Sequence, residues 1–329
     1  MSFYLGAYAA SPNVSGWDPQ LEAAYYQQLK SLESVRGLEH PFLGSLHAQD
    51  DQWFLQHIDT KWDFVFTTIP GVMNALATLP TFGLASTDEA GREAAIAFMR
   101  QANHAIAKLN THLKRQAVTA IMLHSAPARH NCAGSAAAFK TSMQTLLSWD
   151  WHGARLLVEH CDALIDSHAP SKGFLSLTDE LSVLSELNAT QAPELPLGVV
   201  INWGRSVLET RQPDGALQHI VAAKAQGLLA GVMFSGISDQ ATEYGAWRDS
   251  HQPAQTNELV AFGEPGSWLT EQAVADTLQA CQGVNLAVLG LKIGIRPHSA
   301  DLTLRLNYLR AQLGMLQRQV ALCRLSLAH

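Results

Sequence analysis

Four cysteines in 329 residues, Cys132, Cys161, Cys281 and Cys323, are too few and too scattered for a disulfide framework. No CxxC pair offers a zinc ribbon, so reduced thiols in a cytosol are expected. No stretch approaches the run of about 18 apolar residues that a membrane span needs. The opening Met1-Ser2-Phe3-Tyr4-Leu5 carries no basic-then-apolar leader. Secretion and membrane spanning are therefore disfavoured and a cytoplasmic location is expected. Basic blocks and acidic tails are missing as well. The 22 Lys and Arg against 29 Asp and Glu leave a net charge of −7 without a patch, which disfavours nucleic acid and anionic membrane as partners and leaves a small molecule. No GxGxxG follows the first expected strand and no P-loop pattern occurs, so a dinucleotide fold lacks its phosphate-binding turn.

What is present is enough apolar sequence, 47%, to build a large core. Short β-branched or apolar runs alternate with helical patterns eight times. The expected strands are Phe3–Tyr8, Val35–Glu39, Asp63–Thr68, Val118–His124, Arg155–His160, Leu197–Asn202, Gly231–Ser235 and Leu286–Gly294. Expected helices are Leu21–Leu32, a long run from Asp88 to Leu113, Ser135–Leu147, Thr178–Leu187, Gly215–Ala225, Thr270–Cys281 and Ala300–Leu325. With no Pro- or Ser-rich linker, this order predicts one (β/α)8 barrel spanning 1–329, with a doubly wound open sheet as the fold alternative. Two long loops are expected, 68–87 and 236–270, both leaving strands at the C-terminal end where barrels build their sites. The second is the lid candidate.

Barrel strands must fill a packed interior, so polar residues at their C-terminal ends call for a reason. Glu39 and His40 end the second expected strand, His124 the fourth, Glu159 and His160 the fifth, Asn202 and Trp203 the sixth and Ser235 the seventh, while Lys292 falls late in the eighth. One such residue is ordinarily a satisfied structural group. Together, at one mouth, they point to a ligand site.

The chain resembles the xylose isomerase-like barrel superfamily of sugar isomerases and epimerases, in an uncharacterised bacterial branch. The resemblance rests on Gly37-Leu38-Glu39, Met122-Leu123-His124 and Leu157-Val158-Glu159-His160, with Asn202-Trp203-Gly204-Arg205 and Phe234-Ser235-Gly236 as branch segments. It implies a divalent metal, Mn or Mg, held by residues on strands five to eight. Of those positions only Glu159 keeps a typical ligand; the others read Asn202, Ser235 and Lys292. Hard divalent ions want several anionic oxygens, so no metal is favoured. If one is bound, Glu159 and Asn202, joined by Asp249 and His251 from the long loop, are the candidate ligands.

Isomerisation through an enediolate needs a base beside a carbonyl and a positive group near the developing charge. Glu159 is the expected base, Glu39 or His124 the group returning the proton, and Lys292 the cation, paired with Glu159 where the family uses a metal. His160, Asn202, Trp203, Arg205, Ser235, Trp247 and Tyr8 are the expected substrate contacts, Arg205 having a surface ion pair near Glu209 as its plain reading. Glu159→Gln is expected to leave stability nearly intact. Two other readings stay open on this scaffold: a carbohydrate-binding barrel without turnover, and a lysine-dependent aldolase or lyase. Association into a homo-oligomer stays open as well. His47, His57, His104, His112, His219 and His329 read as surface or packing residues.

Overall fold

The computed structural model describes residues 2–323, so Leu325 of the last expected helix and His329 lie outside the described residues. Eight strands, β1 (Phe3–Leu5), β2 (Val35–Pro41), β3 (Asp63–Thr67), β4 (Val118–Leu123), β5 (Arg155–His160), β6 (Gly198–Asn202), β7 (Leu229–Phe234) and β8 (Val288–Leu291), pair in sequence order. All the pairings are parallel, and β8 returns to β1 through Tyr4↔Gly290 and Leu5↔Leu291, closing the barrel. Closure leaves no strand edge unpaired. Around the sheet stand α1 (Pro19–Leu29), α2 (Asp51–His57), α3 (Ile69–Thr78), α4 (Glu89–Leu113), α5 (Ala136–Leu147), α6 (Leu177–Gln191), α7 (Trp203–Thr210), α8 (Gly215–Ala225), α9 (Glu271–Ala280) and α10 (Leu302–Cys323). The fold is therefore a (β/α)8 barrel.

Local chemistry sets the helix starts. Asp18 accepts from the amides of Gln20 and Leu21 with Pro19 in the first turn, and Asp88, Ser135, Ser176 and Thr270 cap α4, α5, α6 and α9. Each such cap satisfies amides that have no partner within the helix. The segment 68–87 departs from expectation, because α3 occupies half of it. Its Pro70 and Gly71 read as loop punctuation, yet proline in a first turn costs no hydrogen bond and fits helical φ. Helices α2 and α7, each at most eight residues, are too short to carry a periodic signal of their own.

Two apolar layers follow from the alternation of strand side chains. Tyr4, Val65, Ala120, Met122, Leu157, Val200, Ala230, Met233 and Val288 form a separate cluster. It fills the barrel, while the larger cluster packs the helices onto the outside of the sheet. Parity then assigns the strand ends. Glu39, His124, Glu159, Asn202, Ser235 and Lys292 are an even number of residues from Gly37, Met122, Leu157, Val200, Met233 and Gly290, and so continue the inward row above the interior cluster. His40 and His160 have the opposite parity and face the helix layer.

Replacing Leu157 by alanine empties part of the interior and should lower the unfolding free energy by about 2–5 kcal/mol. Leu157 is fully buried, whereas Leu259 is 66% exposed, so Leu259→Ala should change it by less than about 0.5 kcal/mol. Denaturant midpoints of the two variants test this. Equal effects would contradict the assignment of Leu157 to the barrel interior.

Candidate active site

The inward row ends in a buried cluster of charges. Glu159, on β5, accepts from His124 Nε2 at 2.9 Å and Asn202 Nδ2 at 3.0 Å, and forms ion pairs with Arg205 NH1 at 2.9 Å and Lys292 Nζ at 3.5 Å. Lys292 lies closer to Glu39, donating to its Oε1 at 2.7 Å. The expected Glu159–Lys292 pair is thus the longer of two contacts, since Lys292 spans both carboxylates. Arg205 also donates from Nε to Asp249 at 3.0 Å, and Lys172 reaches the same carboxylate at 3.1 Å. Three carboxylates and three cations therefore share the mouth.

These pairings decide the protonation states. Burial alone would raise the pKa of Glu159, but Arg205, Lys292 and the His124 hydrogen bond hold it well below the usual carboxylate range. Burial wins at Glu39, whose pKa is raised despite Lys292, with Glu159 pushing in the same direction. Burial would deprotonate Lys292, yet Glu159 and Glu39 hold its ammonium above the ordinary lysine value. It stays charged and is not the neutral amine that a Schiff base requires. Burial lowers the pKa of His124, so the neutral ring donates from Nε2 to Glu159 and presents Nδ1 to the Thr68 hydroxyl at 3.0 Å.

A cavity of about 400 Å³ opens beside this cluster, on the β1–β2 side of the mouth. Tyr8, Glu39, Trp17, Tyr25, Tyr26 and His47 are among its lining residues. Two buried polar atoms there, Tyr8 Oη and Glu39 Oε2, have no hydrogen-bond partner. Unpaired polar atoms in a dry site are costly, and a polar ligand relieves that cost. Gly6 makes the approach possible, since a Cβ at that position would come 2.5 Å from Glu39 Oε2 and 2.8 Å from Lys292 Cβ.

The structure gathers most of the expected site residues but not all at one surface. Glu39, His124, Glu159, Asn202, Arg205, Ser235 and Lys292 form one hydrogen-bonded cluster, with Ser235 donating to Asn202 Oδ1 at 3.0 Å. Tyr8, Glu39 and His40 reach the cavity. His160 does not face the mouth; it lies between Glu180 at 2.7 Å and Glu209 at 3.0 Å in the helix layer. Burial opposes its charge, but Glu180 and Glu209 together raise its pKa to about 10. Trp203 is the first residue of α7 and is buried in the outer core, because Asn202 both ends β6 and caps that helix by accepting from the Arg205 amide. Trp247 packs edge-on against Trp268 in the long loop and does not line the cavity. Arg205 is 1% exposed, so its surface pairing with Glu209 gives way to Glu159 and Asp249. The loop does fold inward at Asp249, while burial lowers the pKa of His251 to about 3. Trp17, Tyr25, Tyr26, His47 and Thr68 were missed by sequence reasoning. Their only signal was aromatic and hydroxyl residues soon after strand ends.

The residues at the strand ends where the resemblance implied a metal, Glu159, Asn202, Ser235 and Lys292, do not fit a hard divalent ion. Every oxygen of Glu159 already accepts a hydrogen bond, and two cations stand within 3.5 Å of that carboxylate. Asn202 and Ser235 supply only neutral oxygens, and Asp249 is held by Arg205 and Lys172. Such a donor set repels Mg²⁺ or Mn²⁺.

A family model described as a domain of unknown function, DUF4862, matches residues 4–308. An uncharacterised protein of Salmonella typhimurium strain LT2 is 34% identical over 318 residues, 96% of this chain and 97% of its own. Among solved structures, a candidate xylose isomerase from Rhodospirillum rubrum superposes with a TM-score of 0.58 at 13% identity, over 97% of this chain and 99% of its own. A xylose isomerase-like TIM barrel/4-hydroxyphenylpyruvate dioxygenase fusion protein gives 0.56 at 13% identity over 98% of this chain, which spans only 44% of the fusion. The fold is that of the xylose isomerase-like barrels.

Glu159→Gln should destabilise the protein by about 3–5 kcal/mol, because it leaves Arg205 and Lys292 buried with too little opposing charge. This reverses the expectation of an intact stability. The folded pKa of Glu159 is depressed, so its contribution is present above its unfolded pKa of about 4.3 and is lost as pH falls through the folded value. Denaturation of wild type and variant should differ fully at pH 7 and converge in acid. A variant as stable as wild type at pH 7 would show that Glu159 is not the centre of the charge cluster.

Proposed function

The chain belongs to the family described as a domain of unknown function (DUF4862), and we propose that the mouth of its xylose isomerase-like barrel binds a small carbohydrate and moves a proton next to the sugar's carbonyl. The observation that carries this reading is Glu39. Its carboxylate is buried, one oxygen is held 2.7 Å from Lys292, the other has no partner, and the residue lines the cavity beside the equally unpartnered Tyr8 hydroxyl. The cavity, about 400 Å³, suits a ligand of monosaccharide size. Trp17, 36% exposed, stands at its rim with His47 5.8 Å away, giving flat apolar rings for the C–H face of a sugar.

In this reading Glu39, rather than Glu159, is the base. A base works best with a pKa shifted toward neutrality and a free oxygen, which supports Glu39; Glu159 is held low and fully engaged. Glu39 Oε2 takes the proton from the carbon beside the carbonyl. The Tyr8 hydroxyl donates to the oxygen that gains charge, and the Lys292 ammonium, behind Glu39, stabilises that charge through space. In an isomerisation Glu39 returns the proton to the former carbonyl carbon while the hydroxyl proton of the deprotonated carbon passes to the former carbonyl oxygen through the Tyr8 hydroxyl; in an epimerisation the same carbon takes its proton on the opposite face from water, and Glu39 releases the abstracted one to solvent. His124, with both ring nitrogens engaged, positions Glu159 and takes no part in the proton transfer. No step uses a metal.

Incubation with a panel of aldoses and ketoses in D₂O should give enzyme-dependent exchange of the hydrogen beside the carbonyl of at least one sugar, read by proton NMR. Glu39→Gln should slow that exchange by about 10²–10⁴-fold. Tyr8→Phe, which keeps the ring, should weaken sugar binding while leaving the melting temperature within a few degrees. Added Mg²⁺ or Mn²⁺ should change neither. Sugar binding without exchange would favour the carbohydrate-binding alternative, and full exchange by Glu39→Gln would remove Glu39 from the chemistry.

A further inference from the structure

We propose that His160, Glu209 and His219 form a binding site for one zinc ion, on the outer side of the sheet where β5, α7 and α8 meet. Their ligand atoms all lie within 4.8 Å of one another. His160 Nε2 is 3.0 Å from Glu209 Oε2, and His219 Nε2 is 3.6 Å from Glu209 Oε1, beyond hydrogen-bond length. Ligand atoms bound tetrahedrally to zinc at about 2.0–2.2 Å stand about 3.4 Å apart, so the three side chains must draw together by up to about 1.4 Å to close the site.

The surroundings are those of a built site. A zinc-bound histidine characteristically has its other ring nitrogen fixed by a carboxylate or hydroxyl, which sets the tautomer and aims the free nitrogen. Both histidines have that arrangement. His160 Nδ1 lies 2.7 Å from Glu180 Oε2, which is fully buried and whose Oε1 accepts from the Ser125 hydroxyl at 2.5 Å. His219 Nδ1 lies 2.9 Å from Ser206 Oγ, which leaves its Nε2 without a hydrogen bond. Glu209 is fixed by the Ala163 amide at 2.8 Å.

Charge points the same way, since two carboxylates, Glu180 and Glu209, face one imidazolium. When zinc binds, the Nε2–H bond of His160 breaks, the proton leaves to water, and the freed lone pair binds the ion. A divalent charge then replaces a single one between two carboxylates. Two nitrogens and one carboxylate suit zinc better than Mg²⁺ or Ca²⁺, and three protein ligands leave one position for water. The side chains of Glu209 and His219 are 11% and 13% exposed, so the ion has a route in from solvent. This cluster is separate from the mouth, because His160 points away from the barrel interior that Glu159 faces.

Chelator-stripped protein should bind one equivalent of Zn²⁺ in competition with a chromophoric chelator. Co²⁺ in its place should give the intense visible absorption of four-coordinate cobalt. His219→Ala should abolish both signals, and Ser206→Ala, which removes only the orienting hydroxyl, should weaken Zn²⁺ binding by about 10–100-fold. Unchanged melting of metal-free His219→Ala guards against misfolding as the cause, and should a fold defect appear, the Ser206→Ala titration decides alone. Lack of saturable binding, or binding that His219→Ala and Ser206→Ala leave unchanged, would overturn the proposal.

Discussion

Everything at the mouth depends on keeping Glu159 ionised in a place without water. A carboxylate there would take up a proton or force the barrel open unless opposite charge were brought to it, because isolated buried charge costs many kcal/mol. Two hydrogen-bond donors, the Arg205 guanidinium and a nearby ammonium meet that demand. The consequences spread outward in a chain. Arg205 must enter the core, so Asp249 is drawn in from the long β7–α9 connection, and Lys172 follows it. Lys292 is buried, so Glu39 has to meet it, and Gly6 has to leave room for both. The position of a surface loop is thereby tied to one side chain on β5.

At the ends of β5 to β8 this chain places ammonium and guanidinium groups beside its carboxylates. These cations set what the carboxylates can do. Glu159, saturated with donors, is locked as an anion, while Glu39 keeps one oxygen free at the cavity. The two carboxylates differ in role because their surroundings differ. Outside the sheet, the same strand presents His160 to Glu180 and Glu209, so β5 carries a charged cluster on each face.

Much of the fold was legible because it rests on repeated local signals. β5 and α8 run between the residues the sequence suggests, and the other six expected helices lie within a few residues of α1, α4, α5, α6, α9 and α10. What was not legible has physical causes. The parity of a strand is clear only once its partner register is known, so Glu159 and His160 looked equally able to reach the mouth, although one faces in and the other out. Trp203 read as a sugar platform because nothing local reveals that a helix starts directly at the strand end. The cavity is built from the segments after β1 and β2, whose aromatic residues converge only in three dimensions. Burial of Arg205 depends on Asp249, 44 positions away, and no spacing rule links them.

The most direct test of the central claim, that a buried lysine holds the mouth's carboxylates together, is a double-mutant cycle for stability with Lys292→Met, Glu39→Gln and the double variant, each measured by denaturation at pH 7. Side chains 2.7 Å apart in a dry site should couple strongly. The double variant is predicted to be more stable than the sum of the single losses implies, with a coupling of about 2–3 kcal/mol. Additive losses, with coupling near zero, would contradict the account and leave Lys292 a buried cation without a part in the site.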